Sequence, residues 1–264
     1  MTIRFDFSGK KVLITGGSKG IGRAIAEKFI DAGAQVAICA RGIEDLRELQ
    51  NKRGVLAVQA DVTKEEDVKK VIAHTVQHFN GLDILVNNVG GATQFGDFFD
   101  MKAQNWRDAF ELNVMSMVHF CKEAIPHLKV SQSPRIINIS SISGIEPGFY
   151  NPHYTSTKSS TINFSKYLSN FLASEKILVN CVCPGSVETD SWDKSVQQIS
   201  CEKNLPPEEV AREMGSKEAL KIPLGRMGQG VDISPLVLFL ASDEASWITG
   251  SCFHVNGGKM KGMC

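Results

Sequence analysis

Lys11–Gly22 reads KVLITGGSKGIG. Its first five residues, Lys11–Thr15, are a short apolar run of the kind that forms a buried strand. Glycines at 16, 17, 20 and 22 then interrupt the chain, and an amphipathic stretch, 20–32, follows and closes at Gly33. A strand that opens through glycines into a helix gathers free N–H groups and the positive end of a helix dipole at one point, where a phosphate fits. The spacing is G-x-x-x-G-x-G. It differs from the common G-x-G-x-x-G fingerprint, and no G-K-[ST] closes it as in a Walker A loop.

The same alternation continues outward from this turn. Strands are predicted at 35–40, 55–60, 82–87, 135–139, 177–183 and 251–255. Helices are predicted at 43–52, from a Thr63-x-x-Glu66 capping box to about Phe79, at 101–110, from about Leu112 to Lys129, at 154–174 and near 232–241. Apolar strands separated by helix-length crossovers imply a parallel sheet covered on both faces. The expectation is α/β: a single-domain, doubly wound parallel sheet (a Rossmann fold) over residues 1–264, with a polar helical segment at about 188–222. Pro206-Pro207 marks a helix start inside that segment.

Composition narrows the functional classes. Lys+Arg and Asp+Glu number 29 each, so no global field draws the chain to nucleic acid or an anionic membrane. The longest apolar runs fall far short of the ~20 residues a membrane span needs, and MTIRFDFSGKK lacks the apolar stretch of a signal peptide. The seven Cys (39, 121, 181, 183, 201, 252 and 264) include no C-x-x-C, and those in apolar runs behave as small hydrophobes. That usage suits a reducing compartment and predicts a cytoplasmic protein.

The glycine turn resembles the T-G-x-x-x-G-x-G signature of the short-chain dehydrogenase/reductase family, and further matches follow in that family's order. Asn87-Asn88-Val89-Gly90 stands where the family has N-N-A-G, with Val replacing Ala. Asn113 opens the helix after it. Ser141, Tyr154 and Lys158 form S-x12-Y-x3-K, Pro184-Gly185 precedes Thr189, and Asn256-Gly257-Gly258 fits near the end. Members most like this chain are the 3-oxoacyl-thioester (acyl-carrier-protein) reductases. The resemblance implies a pyridine dinucleotide held by Gly16, Ser18, Lys19, Gly20, Ile21 and Gly22. It also implies contacts from Asp61 and Val62 to adenine, from Asn87 and Gly90 along the adenosine and pyrophosphate, and from Pro184, Gly185, Val187 and Thr189 near the nicotinamide end.

An acid at the end of the second strand would hold both ribose hydroxyls and select NAD. That position is Ala40, followed by Arg41, whose guanidinium can grip a 2′-phosphate in bidentate fashion. Lys19 adds a second cation, so NADP(H) is expected. Tyr154 and Lys158 are four apart on a predicted helix and share a face. A free phenol has a pKa near ~10, and a neighbouring ammonium favours the phenolate. Tyr154 can then give a proton to a carbonyl or take one from an alcohol. Ser141 would bond the substrate oxygen. By resemblance, Lys158 also holds the ribose hydroxyls and Asn113 holds a relay water.

Other candidates carry less chemistry. His74 and His78 are i, i+4 on a solvated face, and Cys181-x-Cys183 supplies only two ligands where a metal needs more. No metal is expected. His153 should point away from Tyr154, because i, i+1 residues do not share a helix face. The 188–222 segment falls where the family has its substrate lid, with Trp192, Val196, Ile199, Leu205 and Met214 as its apolar face. Phe95, Glu146, Pro147, Phe149 and Tyr150 flank the reacting groups and either line the pocket or pack the lid.

These observations predict an NADPH-dependent reduction of a small-molecule carbonyl to a secondary alcohol, without nucleic-acid or membrane partners. One competitor is an alcohol, sugar or steroid dehydrogenase, which would show robust NAD⁺-dependent turnover. Another is a non-catalytic NADP(H)-binding sensor, which would bind cofactor and turn nothing over. The resemblance implies a homotetramer built on the helices near 112–129 and 154–174 and on the last strand.

Overall fold

The computed structural model describes residues 5–262; of the tail 259–264, Met263 and Cys264 lie outside the described residues. Its strands are β1 (Lys11–Thr15), β2 (Gln35–Ala40), β3 (Leu56–Gln59), β4 (Ile84–Asn87), β5 (Arg135–Ile139), β6 (Leu178–Pro184) and β7 (Cys252–Val255). The helices are α1 (Gly20–Asp31), α2 (Ile43–Arg53), α3 (Glu65–Phe79), α4 (Ala103–Phe110), α5 (Ser116–Leu128), α6 (Pro152–Leu172), α7 (Asp190–Lys203), α8 (Pro207–Ala219) and α9 (Gly230–Ala241). The seven strands form one sheet in the order β3-β2-β1-β4-β5-β6-β7. Every pairing is parallel.

Alternate strand residues feed two apolar layers. On one face Ile14, Ile38 and Val86 meet Ile25, Phe29, Leu46 and Val237 from α1, α2 and α9. On the other, Leu13, Ala37 and Leu85 meet Val68, Ile72, Phe120 and Leu168 from α3, α5 and α6. With both faces covered, the strands read as continuous apolar runs rather than alternating ones. Among the described residues, no helix is long and apolar enough to cross a membrane.

β1 lies between β2 and β4, so the order of strands reverses at its carboxyl end. That reversal opens a crevice between the exits of β1 and β4, at Thr15 and Asn87, where ligands of such sheets bind.

Two local expectations are corrected. No Thr63–Glu66 capping box forms: α3 starts at Glu65 with Lys64 as N-cap and no side-chain cap. The Thr63 hydroxyl donates instead to Asp61 Oδ1 at 2.8 Å, while three acids in the first turn face the helix dipole. The helix expected to start near Leu112 is instead continuous with α4 through a π turn at Glu111–Met115. Its cause is local: Asn113 Nδ2 donates to the Ala109 carbonyl (2.9 Å), inserting a side chain into the helical ladder.

Candidate active site

The turn after β1 is tied to the exit of β4. Thr15 Oγ1 accepts from the backbone N–H groups of Asn88 (3.0 Å) and Val89 (3.1 Å), and Asn88 Nδ2 donates back to the Thr15 carbonyl (2.9 Å). Helix α1 therefore begins over the crevice with no acidic residue in its first turn. Ser18 is buried in the turn. Thr189 reaches the turn from the far side of the sheet, since a Cβ on Gly20 would lie 3.4 Å from its methyl group.

The three reacting groups assemble where β5 ends. Ser141 is the second residue after the strand and N-caps a short 3-10 turn, accepting from Ser143 N–H (3.2 Å) and Ser143 Oγ (2.9 Å). Its hydroxyl also stands near enough to the Tyr154 phenol to favour the phenolate. Lys158 is buried, donates to the Ile139 carbonyl at 3.0 Å, and lies 5.7 Å from the Tyr154 ring centroid. The neighbouring Ser140 has a structural job, donating to the Lys158 carbonyl at 2.8 Å.

The ammonium is expected to favour the Tyr154 phenolate, and burial acts against it. Burial pushes the Tyr154 phenol up to about 12, and the Ser141 hydroxyl pulls against it. Burial likewise pushes Lys158 down to about 8, with the thiols of Cys181 and Cys183 opposing. Without a bound ligand, desolvation outweighs the cation beside the ring, and the acid form of Tyr154 prevails.

The remaining expected contacts fall into two groups. Asn113 is buried, with Oδ1 accepting from Gly91 N–H (2.8 Å) and Nδ2 donating to the Gly91 carbonyl (3.1 Å), so it fastens the β4 exit to the π turn. Gly90 faces the reacting groups: a Cβ there would lie 2.6 Å from Lys158 Nζ and 2.7 Å from Asn113 Oδ1. Asp61 receives two bonds from Thr63; burial raises its pKa, but those bonds with Arg41 and Lys64 hold it below the usual carboxylate value. Gly185 packs on Asn256, and Val187 bridges Gly228 beside Thr189.

Asn87 departs from expectation, because its side chain is buried beneath the crevice rather than laid along it. Nδ2 donates to Asn138 Oδ1 (2.8 Å) and to Cys121 Sγ (3.3 Å). Arg41 is exposed, and Lys19 is drawn between Asp45 (3.1 Å) and Asp190 (3.4 Å).

Of the expected pocket residues, Phe95 and Tyr150 stack at 5.3 Å and line a cavity of about 380 Å³ against α7 and α8. Phe149 instead projects into solvent at 95% exposure, and Glu146 accepts from Lys261 N–H (3.0 Å). His74 and His78 are exposed, as expected of a solvated face. His153 does turn from the reacting groups, packing edge-on to Trp106 at 6.3 Å.

One anchor had no sequence signal. Glu218 on α8 accepts from Ser186 Oγ (2.5 Å), Lys221 (3.0 Å) and Lys259, joining the helical segment to the exit of β6 and to the tail. Burial pushes its pKa up, but these bonds outweigh it and bring the carboxyl down to about 2. A depressed folded-state pKa stabilises above the unfolded value and is lost as pH falls through the folded one. Protection of α8 amides from hydrogen exchange should therefore fall as pH drops from about 4.5 towards 2. Glu218→Gln should show that loss already at neutral pH; unchanged protection there would remove Glu218 as the anchor.

Comparison with known proteins agrees with this geometry. Residues 16–259 match the family profile described as enoyl-(acyl carrier protein) reductase. The L-fucose dehydrogenase of Oryctolagus cuniculus is 37% identical over 96% of this chain and 85% of its own. The 3-oxoacyl-[acyl-carrier-protein] reductase of Staphylococcus aureus strain Mu50 is 35% identical over 94% of this chain and 97% of its own. An L-sorbose reductase from Gluconobacter frateurii, solved with NADPH and L-sorbose, superposes with a TM-score of 0.90 at 32% identity, covering 99% of this chain and 100% of that one. A doubly wound sheet, a glycine turn at its switch point and a Ser–Tyr–Lys cluster thus coincide with matches along nearly the whole chain, which belongs to the short-chain dehydrogenase/reductase family.

Proposed function

We propose that the chain reduces a small-molecule carbonyl to a secondary alcohol with NADPH, through Ser141, Tyr154 and Lys158. The carrying observation is the gathering of Ser141, Tyr154 and Lys158, with Lys158 5.7 Å from the Tyr154 ring, opening on a crevice floored by Gly90. The residues fit a dinucleotide: the space a Cβ would fill at Gly90 is the space beside Lys158 Nζ, and the 16–22 turn leads into the N-terminus of α1, whose first turn holds no acid. When bound, NADPH supplies the hydride.

Ser141 would hold the substrate oxygen and Tyr154 would give it a proton. Lys158 would hold ribose hydroxyls, and Asn113 would keep the π turn in place beside a relay water. Gly16, Ser18, Lys19, Gly20, Ile21 and Gly22 would hold phosphates, with Asp61 and Val62 at the adenine. Asn87 would support that crevice from beneath, and Gly90, Pro184, Gly185, Val187 and Thr189 would line it. A phenol held in its acid form by burial supports the reductive direction, because reduction consumes a proton at Tyr154. The L-sorbose reductase was solved with NADPH, which supports the choice of cofactor. So does Arg41 following Ala40.

A sugar substrate is favoured over an apolar ketone. Asp100, Gln198, Glu202 and Lys217 share the lining of the cavity against α7 and α8 with Phe95, Tyr150, Ile199 and Met214, and rings beside polar groups suit the two-faced surface of a sugar. The segment 188–222 would be the lid, one unit with the rest of the chain. The test is oxidation of NADPH against NADH over sugar ketones and 3-oxoacyl thioesters, with Arg41→Ala beside the wild type. Losing one charge-assisted phosphate contact should weaken NADPH roughly ten- to hundredfold and leave NADH within about threefold. A wild-type preference for NADH would overturn the cofactor assignment.

The assembly would be a homotetramer in the cytoplasm, the latter in keeping with six free thiols among the described residues. Phe164, Tyr167 and Phe171 stack along α6, with Tyr167 and Phe171 exposed, and β7 is an edge strand. Light scattering at micromolar concentration should give four times the chain mass; a monomer would count against the assembly.

A further inference from the structure

The edge of the sheet brings together a second group of donors, behind the reacting groups. β6 and β7 run parallel with Cys181 opposite Cys252 and Cys183 opposite His254. Residues two apart on a strand share a face, so all four side chains leave the sheet on the same side. The three Sγ atoms lie within 4.8 Å of one another, with Cys183 and Cys252 at 3.2 Å, and His254 Nε2 is 4.0 Å from Cys252 Sγ. Sequence alone offered only Cys181-x-Cys183; the two further donors come from a strand 69 residues later.

We propose that Cys181, Cys183 and Cys252, with His254 as fourth donor, form a binding site for a thiophilic divalent cation of the zinc type. A tetrahedral Zn²⁺ with bonds of ~2.3 Å to sulfur and ~2.0 Å to nitrogen separates its sulfurs by roughly 3.8 Å. The closest sulfur pair stands at 3.2 Å and all three sulfurs lie within 4.8 Å, a range that includes this value, while His254 must swing in from Cys252 to complete the geometry. Ile142, Ile145, Ile162 and Met260 wall the site with apolar surface, and half-buried Cys252 and His254 at the sheet edge leave a way in.

Binding replaces the S–H bond of each protonated ligand thiol with an S–metal bond, and its proton leaves to water. Nothing is oxidised. The site also stands behind the reacting groups: Cys183 lies near Ser140, whose hydroxyl donates to the Lys158 carbonyl. Occupancy would fasten the edge strand to β6 beneath the Ser141 turn.

The test uses the full chain, reduced and stripped by chelator, titrated with Co²⁺ as probe and then with Zn²⁺. Expected are thiolate-to-cobalt charge transfer and the strong visible bands of tetrahedral cobalt, saturating at one ion per chain and bleached by Zn²⁺. Cys252→Ser and His254→Ala should each weaken zinc roughly a hundredfold in competition with a colorimetric chelator. Cys201→Ser, on exposed α7, should leave it unchanged. Wild-type protein without thiolate–cobalt bands overturns the proposal, and this holds whether or not the variants fold. So do bands that persist unchanged in Cys252→Ser, or a Cys183–Cys252 disulfide that forms in reducing buffer and excludes the ion.

Discussion

Tyr154→Phe should lower kcat/KM for carbonyl reduction by about 10²–10⁴-fold while NADPH affinity stays within about threefold. The substitution removes one oxygen and leaves the ring, so the packing of the first turn of α6 and the approach of Lys158 at 5.7 Å are retained. What disappears is the proton donor beside Ser141. The effect belongs in kcat, because the proton is delivered in the transition state rather than on binding. The pH dependence follows from the same group. A phenol near 12 is protonated through the neutral range, so before ligand binding only about 10⁻⁵ of it is phenolate at pH 7. Alcohol oxidation, which needs the phenolate, should accelerate with rising pH far more than carbonyl reduction does. Matched initial rates in both directions from pH 6 to about 10 check this. A Tyr154→Phe enzyme retaining wild-type kcat would remove the proton-donor role altogether.

Gly22→Ala should weaken NADPH roughly five- to 150-fold, the equivalent of about 1–3 kcal/mol of overpacking. An added Cβ would lie 2.2 Å from the Gly16 carbonyl oxygen and 2.5 Å from Asn88 Nδ2. The first is backbone and cannot swing aside, so α1 must move off the turn. Moving α1 carries its N-terminal N–H groups away from the phosphate position. Gly148→Ala is the control, since a Cβ there meets nothing within 4 Å. Titration of NADPH fluorescence on both variants, with melting temperatures alongside, separates loss of the cradle from general unfolding. Unchanged NADPH affinity in Gly22→Ala would mean that the turn does not hold the phosphates.

Much of this was visible in the chain. Runs such as KVLIT betray strands because both sheet faces are covered, and the Ser141, Tyr154 and Lys158 spacing survives folding because a strand end and one helix face hold all three. The π turn was hidden, because a pattern of apolar residues does not report one inserted residue. Asn113 marks it only through a bond to the Ala109 carbonyl. The weight of burial at Tyr154 was also hidden, as a helix-face argument counts charges but not the water they lose. Glu218 with Lys259, and Cys181 with Cys252, join segments far apart in the chain. No local spacing announces such pairs.

The contact at Gly90 has a consequence for how this molecule can change. Any side chain added there meets Lys158 and Asn113, just as one at Gly22 meets the neighbouring backbone. The floor of the crevice thus has no slack, and its residues tolerate little remodelling whatever compound is turned over. Tyr150, Glu202, Glu213 and Lys217 stand at the exposed rim instead, on surfaces that accept new side chains without disturbing the sheet. Substrate preference should therefore drift, or be redesigned, from the roof downward, with the proton-transfer geometry inherited intact.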